Sequence, residues 1–177
     1  MGLFSKNKVS KEEKQQKKAT KQESSALFLG DALQPIGKIP VNGACGLSLV
    51  PEERVLKIHH DKTDITLPYD RIRSFKVDNE TTLTKAGSGL GGAIVGGALF
   101  GGAGALVGQN MKKGKTQTKW IGILTYEDKE GNIKELAFIE RGLTGLYDGA
   151  TKSFSATNFE NVVNRVASDA SEDITEL

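Results

Sequence analysis

Two glycine-containing stretches carry the residue types that hold phosphate. The run GSGLGG, residues 87–92, fits G-x-G-x-x-G, the spacing that lets a backbone approach a pyrophosphate at a helix N-terminus. That chemistry needs a buried strand before it and an acid after it. Here DNETTLTKA precedes it, and Lys112 and Lys113 stand where the ribose-binding acid belongs. The run GQNMKKGKT, residues 108–116, approaches a P-loop, with Lys115 and Thr116 in the places of the phosphate lysine and the magnesium hydroxyl. Five residues separate Gly108 from Gly114, however, where four are required, so the loop falls out of register. His59 and His60 are adjacent and point to opposite faces of a strand, which prevents them from sharing a metal ion. Cys45 lies in a strand pattern without a companion base and reads as a buried structural thiol. No Ser, His and Asp group into a triad, and no carboxylate pair stands out. The expectation is a non-enzyme with no catalytic residues, no metal, no cofactor and no small-molecule substrate.

The chain has 177 residues and a formal net charge of +2, enough for one domain with extensions. That total hides an asymmetry. Lys6, Lys8, Lys11, Lys14, Lys17, Lys18 and Lys21 make the first 25 residues basic, whereas Asp169, Glu172, Asp173 and Glu176 make the end acidic. Both ends read as solvated tails, the first as a disordered or helical arm. One cysteine permits no internal disulfide, and no apolar leader core follows the first basic residues, so a reduced, cytoplasmic setting is expected. The opening MGLFSK lacks the Ser or Thr of a myristoylation site, which is Lys6 here.

The elements that position these residues are mostly strands. Residues 41–49, 55–58, 64–67 and 71–77 read as four, the last with one break in phase that suggests a bulge. WIGILTY, 120–126, and IKELAFI, 133–139, flank the polar loop DKEGN as a hairpin. The period then changes. Phe159, Val162, Val163, Val166 and Ala167 follow helical spacing behind a Thr157–Glu160 capping pair, one amphipathic helix able to plug the mouth of a bent sheet. The fold class expected is mainly β (α+β): a bent antiparallel sheet or partly open barrel of about six to seven strands, capped by that helix. A Gly-rich apolar insertion lies between the fourth and fifth strands read.

On ITLPYDRIRSFKV, WIGILTYEDKEGNIKELAF and the closing helix, the chain resembles bacterial proteins with a pleckstrin-homology-like (GRAM-like) fold, some of which carry a glycine zipper in this place. The resemblance covers residues 36–167 and rests on alternation and turns. It implies an adaptor that binds lipid headgroups, peptides or copies of itself. No headgroup motif matches position by position, so no lipid-contacting residue is carried across.

The insertion is uncharged from Ala86 to Met111, a run of about 26 residues that as one helix would extend about 39 Å. A single membrane crossing would leave its ends on opposite sides, while the strands before and after it must return to one sheet. The segment is therefore expected to fold back as a helical hairpin, whose arms of about 18 Å fall short of the roughly 30 Å hydrocarbon core. Gly89, Ala93, Gly97, Gly101 and Ala105 recur every four residues, as do Ser88, Gly92 and Gly96, forming small-xxx-small faces that allow close packing. About ten glycines cost roughly 10 kcal/mol of helix propensity, more than the large apolar residues return on insertion, so the segment needs lipid or another copy to order. The plainer reading is a flexible loop, although such linkers favour Ser over Ile, Leu and Phe. Lys112, Lys113, Lys115 and Lys119 form a basic collar suited to anionic headgroups, worth about 1 kcal/mol each.

The domain organisation expected is an arm at 1–25, a first β part at 26–84, the glycine-zipper insertion at 85–116, a second part with the helix at 117–168, and an acidic tail at 169–177. The function expected is a binding and assembly module that meets a membrane, its own copies, or both, placing it in the cytoplasm with a peripheral or re-entrant position at the inner membrane face. Two alternatives are a nucleotide-binding protein using 108–116, and a nucleic-acid binder using the basic arm. The arm's glutamates and its lack of interleaved aromatics limit the second to general electrostatic contact, not specific recognition.

Overall fold

The period-2 segments of the sequence pair as an antiparallel sheet in the computed structural model, which describes residues 11–79, 119–142, 145–146, 149 and 151–175. Helix α1 (Lys11–Ser25) leads into β1 (Leu27–Ala32), β2 (Ala44–Val50), β3 (Val55–His60) and β4 (Thr63–Pro68). A 3-10 turn (Tyr69–Arg71) precedes β5 (Ile72–Asn79), followed by β6 (Trp120–Glu127), β7 (Ile133–Gly142), the two-residue β8 (Gly145–Leu146) and helix α2 (Phe154–Thr175). Seven strands lie in the order β4-β3-β2-β1-β7-β6-β5, with β8 turning back on the end of β7. Two meanders are thus joined where β1 meets β7 through Gly30–Glu140, Asp31–Ile139 and Ala32–Phe138. The sheet is open, its edges being β4 and β5.

Side chains from alternate positions of these strands form one core, and α2 closes it. Phe28, Phe75 and Phe159 meet at its centre, with edge-on ring contacts of 5.1 Å (Phe28–Phe75) and 4.9 Å (Phe75–Phe159). Two inward-facing glycines make room for these rings. A Cβ on Gly122 would lie 2.8 Å from both Phe28 and Phe75, and one on Gly30 would lie 2.8 Å from Phe28 and Phe138. Both are space-making positions rather than flexible ones.

Several expectations hold. The sheet is antiparallel, mainly β, and capped by the C-terminal helix. The bulge falls between Ile72 and Ser74. The 128–132 loop is tied by Asp128 Oδ1, which accepts the backbone N–H groups of Glu130 and Asn132, while Gly131 adopts φ of 85°.

Others need correction. The first strand is β1, which the reading at 41–49 missed, because Gly30 and Asp31 resemble turn residues while Gly30 is in fact demanded by Phe28 and Phe138. The insertion therefore lies between the fifth and sixth strands. The next strand starts at Ala44, since Asn42, with φ of 62°, and Gly43 turn the chain after Pro40. Helix α2 begins at Phe154. Its cap is Ser153, whose Oγ accepts the Ala156 N–H, and Glu160 is engaged elsewhere. The acidic tail at 169–177 is helical through Thr175, and Ala170 extends the buried face by one more turn. The basic arm takes the helical one of its two expected states from Lys11, and Arg165 of α2 holds its end through Gln22 (3.0 Å) and Glu23 (3.5 Å).

Candidate binding surfaces

The predicted packing residues Gly89, Gly92, Ala93, Gly96, Gly97, Gly101 and Ala105, with Ser88 and the collar residues Lys112, Lys113 and Lys115, lie outside the described residues. So does the near-P-loop at 108–116. Lys119 is described: it is half-buried and stands immediately before β6. What the structure does place is where the insertion leaves and returns. Asn79, the last residue of β5, is the register partner of Trp120, the first of β6.

The outer side of β1–β3 is concave. A groove of about 810 Å³ runs over Leu27, Leu29, Gly46 and Ser48, with Lys57, His59 and Arg141 along it. Its small β2 residues form the floor. Each basic side chain along the groove already faces a carboxylate: Lys57 lies 3.7 Å from Asp64, the His59 ring lies 2.5 Å from the same Asp64, and Arg141 lies 3.4 Å from Asp31. The His59 imidazole holds the Asp64 carboxyl below its ordinary range. The groove offers shape and apolar surface, but its charges are spent internally.

His60 points the other way from His59, its Nδ1 lying 2.8 Å from the Ala44 carbonyl, and no group of three metal-ligating residues occurs among the described residues. Cys45 is buried, with its thiol 3.3 Å from the Gly43 carbonyl that accepts from it. Burial, then the charge of Asp31, pushes this thiol up to about 11. The native protein should therefore react with iodoacetamide at pH 8 at least about 100-fold more slowly than the urea-unfolded chain, since the thiolate is the nucleophile. Mass spectrometry over time reads this directly.

A second buried titratable group sits where β7 meets α2. Glu140, 3% exposed, accepts from both the Oγ–H and the N–H of Ser153, so the carboxyl supports the residue that caps the helix. Its Oε2 is buried without a partner. Desolvation raises its pKa, against the smaller opposing effect of Ser153 and Lys152. An acid raised on folding stabilises most below its unfolded pKa, and that contribution is lost as pH rises through the folded value. Stability should thus fall as pH climbs above the ordinary carboxylate range, and Glu140→Gln should flatten the slope. Thermal unfolding from pH 4 to 8 tests this, the Tm gap favouring the variant widening toward neutral pH.

The β5 edge is closed by side chains rather than by a strand. Asn164 Oδ1 accepts the Phe75 N–H at 2.8 Å while its Nδ2 donates to the Phe75 carbonyl at 2.9 Å, the pair of bonds a neighbouring strand would make. Glu160 Oε1 accepts the Val77 N–H at 3.3 Å, and Lys152 Nζ donates to the Val77 carbonyl at 3.4 Å and pairs with Glu160. A peptide adding to this edge would have to displace all three side chains.

Sequence reasoning missed one surface. Ile121 and Ile123 of β6 alternate with the inward Gly122 and Leu124, so they face outward, as do their partners Ile139 and Ala137 of β7. Leu33, whose N–H bonds the Ala137 carbonyl at 2.8 Å, extends the row. These five are between 0% and 9% exposed, yet they stand apart from the main core. The signal was present in the unbroken apolar runs WIGIL and LAFI, which mark a strand covered on both faces, unlike the clean alternation of β3.

No protein-family model matches this chain, and the comparison with curated proteins gives no match either. No helix among the described residues is long and apolar enough to cross a membrane.

Proposed function

We propose that the chain is a non-enzymatic binding and assembly module, a pleckstrin-homology-like domain whose glycine-rich segment, 85–116, docks on a membrane surface or on copies of itself. The observation that carries this reading is the pairing of Asn79 with Trp120. These two residues, which bracket the segment on either side, are held one strand spacing apart, about 4.8 Å, so a sequence built for close helix packing would run out and back from one region of the sheet. The strand order and capping helix favour the pleckstrin-homology-like reading, two meanders joined through their first and last strands. Lys112, Lys113, Lys115 and Lys119 would then stand beside the returning arm, facing anionic headgroups, with Leu3 and Phe4 of the basic arm assisting.

The test is flotation with anionic liposomes and sedimentation without them, comparing the intact protein with one carrying a Ser-rich linker at 87–108. Flotation or self-association of the intact protein alone supports the reading, and Gly97→Leu with Gly101→Leu should abolish it without unfolding the domain. Behaviour identical in both proteins overturns it.

A further inference from the structure

Helix α1 carries its positive charge on one side. At about 100° of helix per residue, Lys14, Lys17, Lys18 and Lys21 fall within one arc of about 100°, and both carboxylates between residues 13 and 25, Glu13 and Glu23, fall outside it. All four lysines are exposed, and none forms an ion pair among the described residues. In the groove over β1–β3, by contrast, every basic side chain faces a carboxylate. We infer that this lysine face of α1 is a contact for an anionic lipid surface, made separately from the glycine-rich segment. It rests on the membrane reading above for the kind of partner and adds a second contact through different residues.

The helix is held so that this face looks outward. From residue 13 to residue 25 only Ala19, Thr20 and Glu23 are half-buried, and they lie on the side of the helix opposite the lysines. The helix packs on β2, and Arg165 of α2 holds Gln22 and Glu23 at its last turn, which sets its roll. The four charges therefore leave the domain together, along about 10 Å of helix.

Chemistry chooses among anionic partners. Four ammonium groups supply point charge, without the guanidinium forks or aromatic rings that grip phosphates bidentately or stack on bases. A helix lying along its own domain also presents a low face, whereas one that reads duplex DNA must enter the major groove. A plane of headgroups demands neither. Because the opposite side of α1 has no apolar stripe to insert, its hold is electrostatic and weakens with salt.

Co-sedimentation of the full chain with vesicles of equal parts phosphatidylglycerol and phosphatidylcholine at low salt tests this. Replacing all four lysines by Gln should weaken binding at least about 50-fold, since each charge at such a surface contributes a factor of about five. A variant of unchanged composition, with Lys14→Gln, Gln15→Lys, Gln16→Lys and Lys17→Gln, turns two charges out of the arc and should lose about tenfold. Cys45 should stay unreactive toward iodoacetamide in both, showing that the domain is folded. Equal binding by the parent and the rearranged variant overturns the inference, because charge count and not the face would then decide. So does full binding by the four-Gln variant, or lysine-dependent binding to a DNA duplex or single-stranded RNA that is tighter than binding to the vesicles. If Cys45 becomes reactive in a variant, the chain with the Ser-rich linker at 87–108 decides: it should bind the phosphatidylglycerol mixture in a salt-labile way, and binding no better than to phosphatidylcholine alone overturns the inference. The two readings fail separately. Binding abolished by the linker but kept by the four-Gln variant refutes this contact alone, whereas salt-labile, lysine-dependent binding with no salt-resistant part in the intact protein upholds it and refutes the membrane role of the glycine-rich segment.

Discussion

Phe159→Ala is expected to lower the unfolding free energy by about 3–5 kcal/mol, a large part of the roughly 5–15 kcal/mol that holds a domain folded. Phe159 is fully buried and is the contribution of α2 to the aromatic centre, 4.9 Å from the Phe75 ring and 6.0 Å from Phe28. Truncation removes the ring contacts and leaves a cavity whose walls cannot collapse easily, because Phe28 and Phe75 are also pressed against the bare backbone of Gly122. Urea titration followed by Trp120 fluorescence measures the loss. A change under 1 kcal/mol would show that the helix is not what closes the core. Phe159→Leu should cost much less, since it refills most of the volume.

Asn164→Leu should be nearly as severe, although it exchanges a polar residue for an apolar one of similar size. It leaves the Phe75 N–H and carbonyl without partners, each worth about 1–3 kcal/mol when buried and unpaired. A loss of about 2–4 kcal/mol in the same titration is expected. Asn164→Asp separates the two bonds. The new carboxylate still accepts the Phe75 N–H but sets negative charge against the Phe75 carbonyl, which disfavours its charged form and raises its pKa in the folded protein. Such a group stabilises fully below its unfolded value of about 3.9 and loses that contribution as pH rises through the folded one. Relative to the parent, Asn164→Asp should be weak at pH 7 and recover near pH 4, where the protonated acid donates to the carbonyl. A pH-independent deficit would mean that the donor half of the bond contributes little.

How far the sequence discloses this molecule depends on whether a residue's role is written in its own neighbourhood. The β3–β4 alternation, the Asp128–Asn132 loop and the apolar face of α2 are local patterns, and they read correctly. Cys45 also read correctly, because a lone thiol among strand residues has few other uses. Gly30 misled, since a glycine required by Phe28 and Phe138 looks the same as one that turns the chain. Thr157 and Glu160 have the spacing of a capping box, yet Glu160 serves Val77, 83 positions away. Asn164 gave no hint of its part, for a strand-mimicking amide is defined only by the edge it faces. The outward row on β6 and β7 was legible as continuous apolar runs, but what it meets depends on contacts that a pattern of alternation does not encode.

The junction of β1 with β7 also sets an order of events during synthesis. Gln34 bonds the Glu135 carbonyl across 101 positions, so the first meander leaves the ribosome long before its partner exists. Until then β1 is an unpaired edge, and Phe28 lacks both Phe75 and Phe159. At about 5–20 residues per second this interval lasts several seconds or more, long enough for strand-to-strand mispairing between nascent chains. The last described element, α2, both fills the core and covers the β5 edge, so its synthesis and the loss of the stickiest surfaces coincide. A truncated product ending before Phe154 would keep its strands but none of that protection, and chaperones or proteases would be its natural fate.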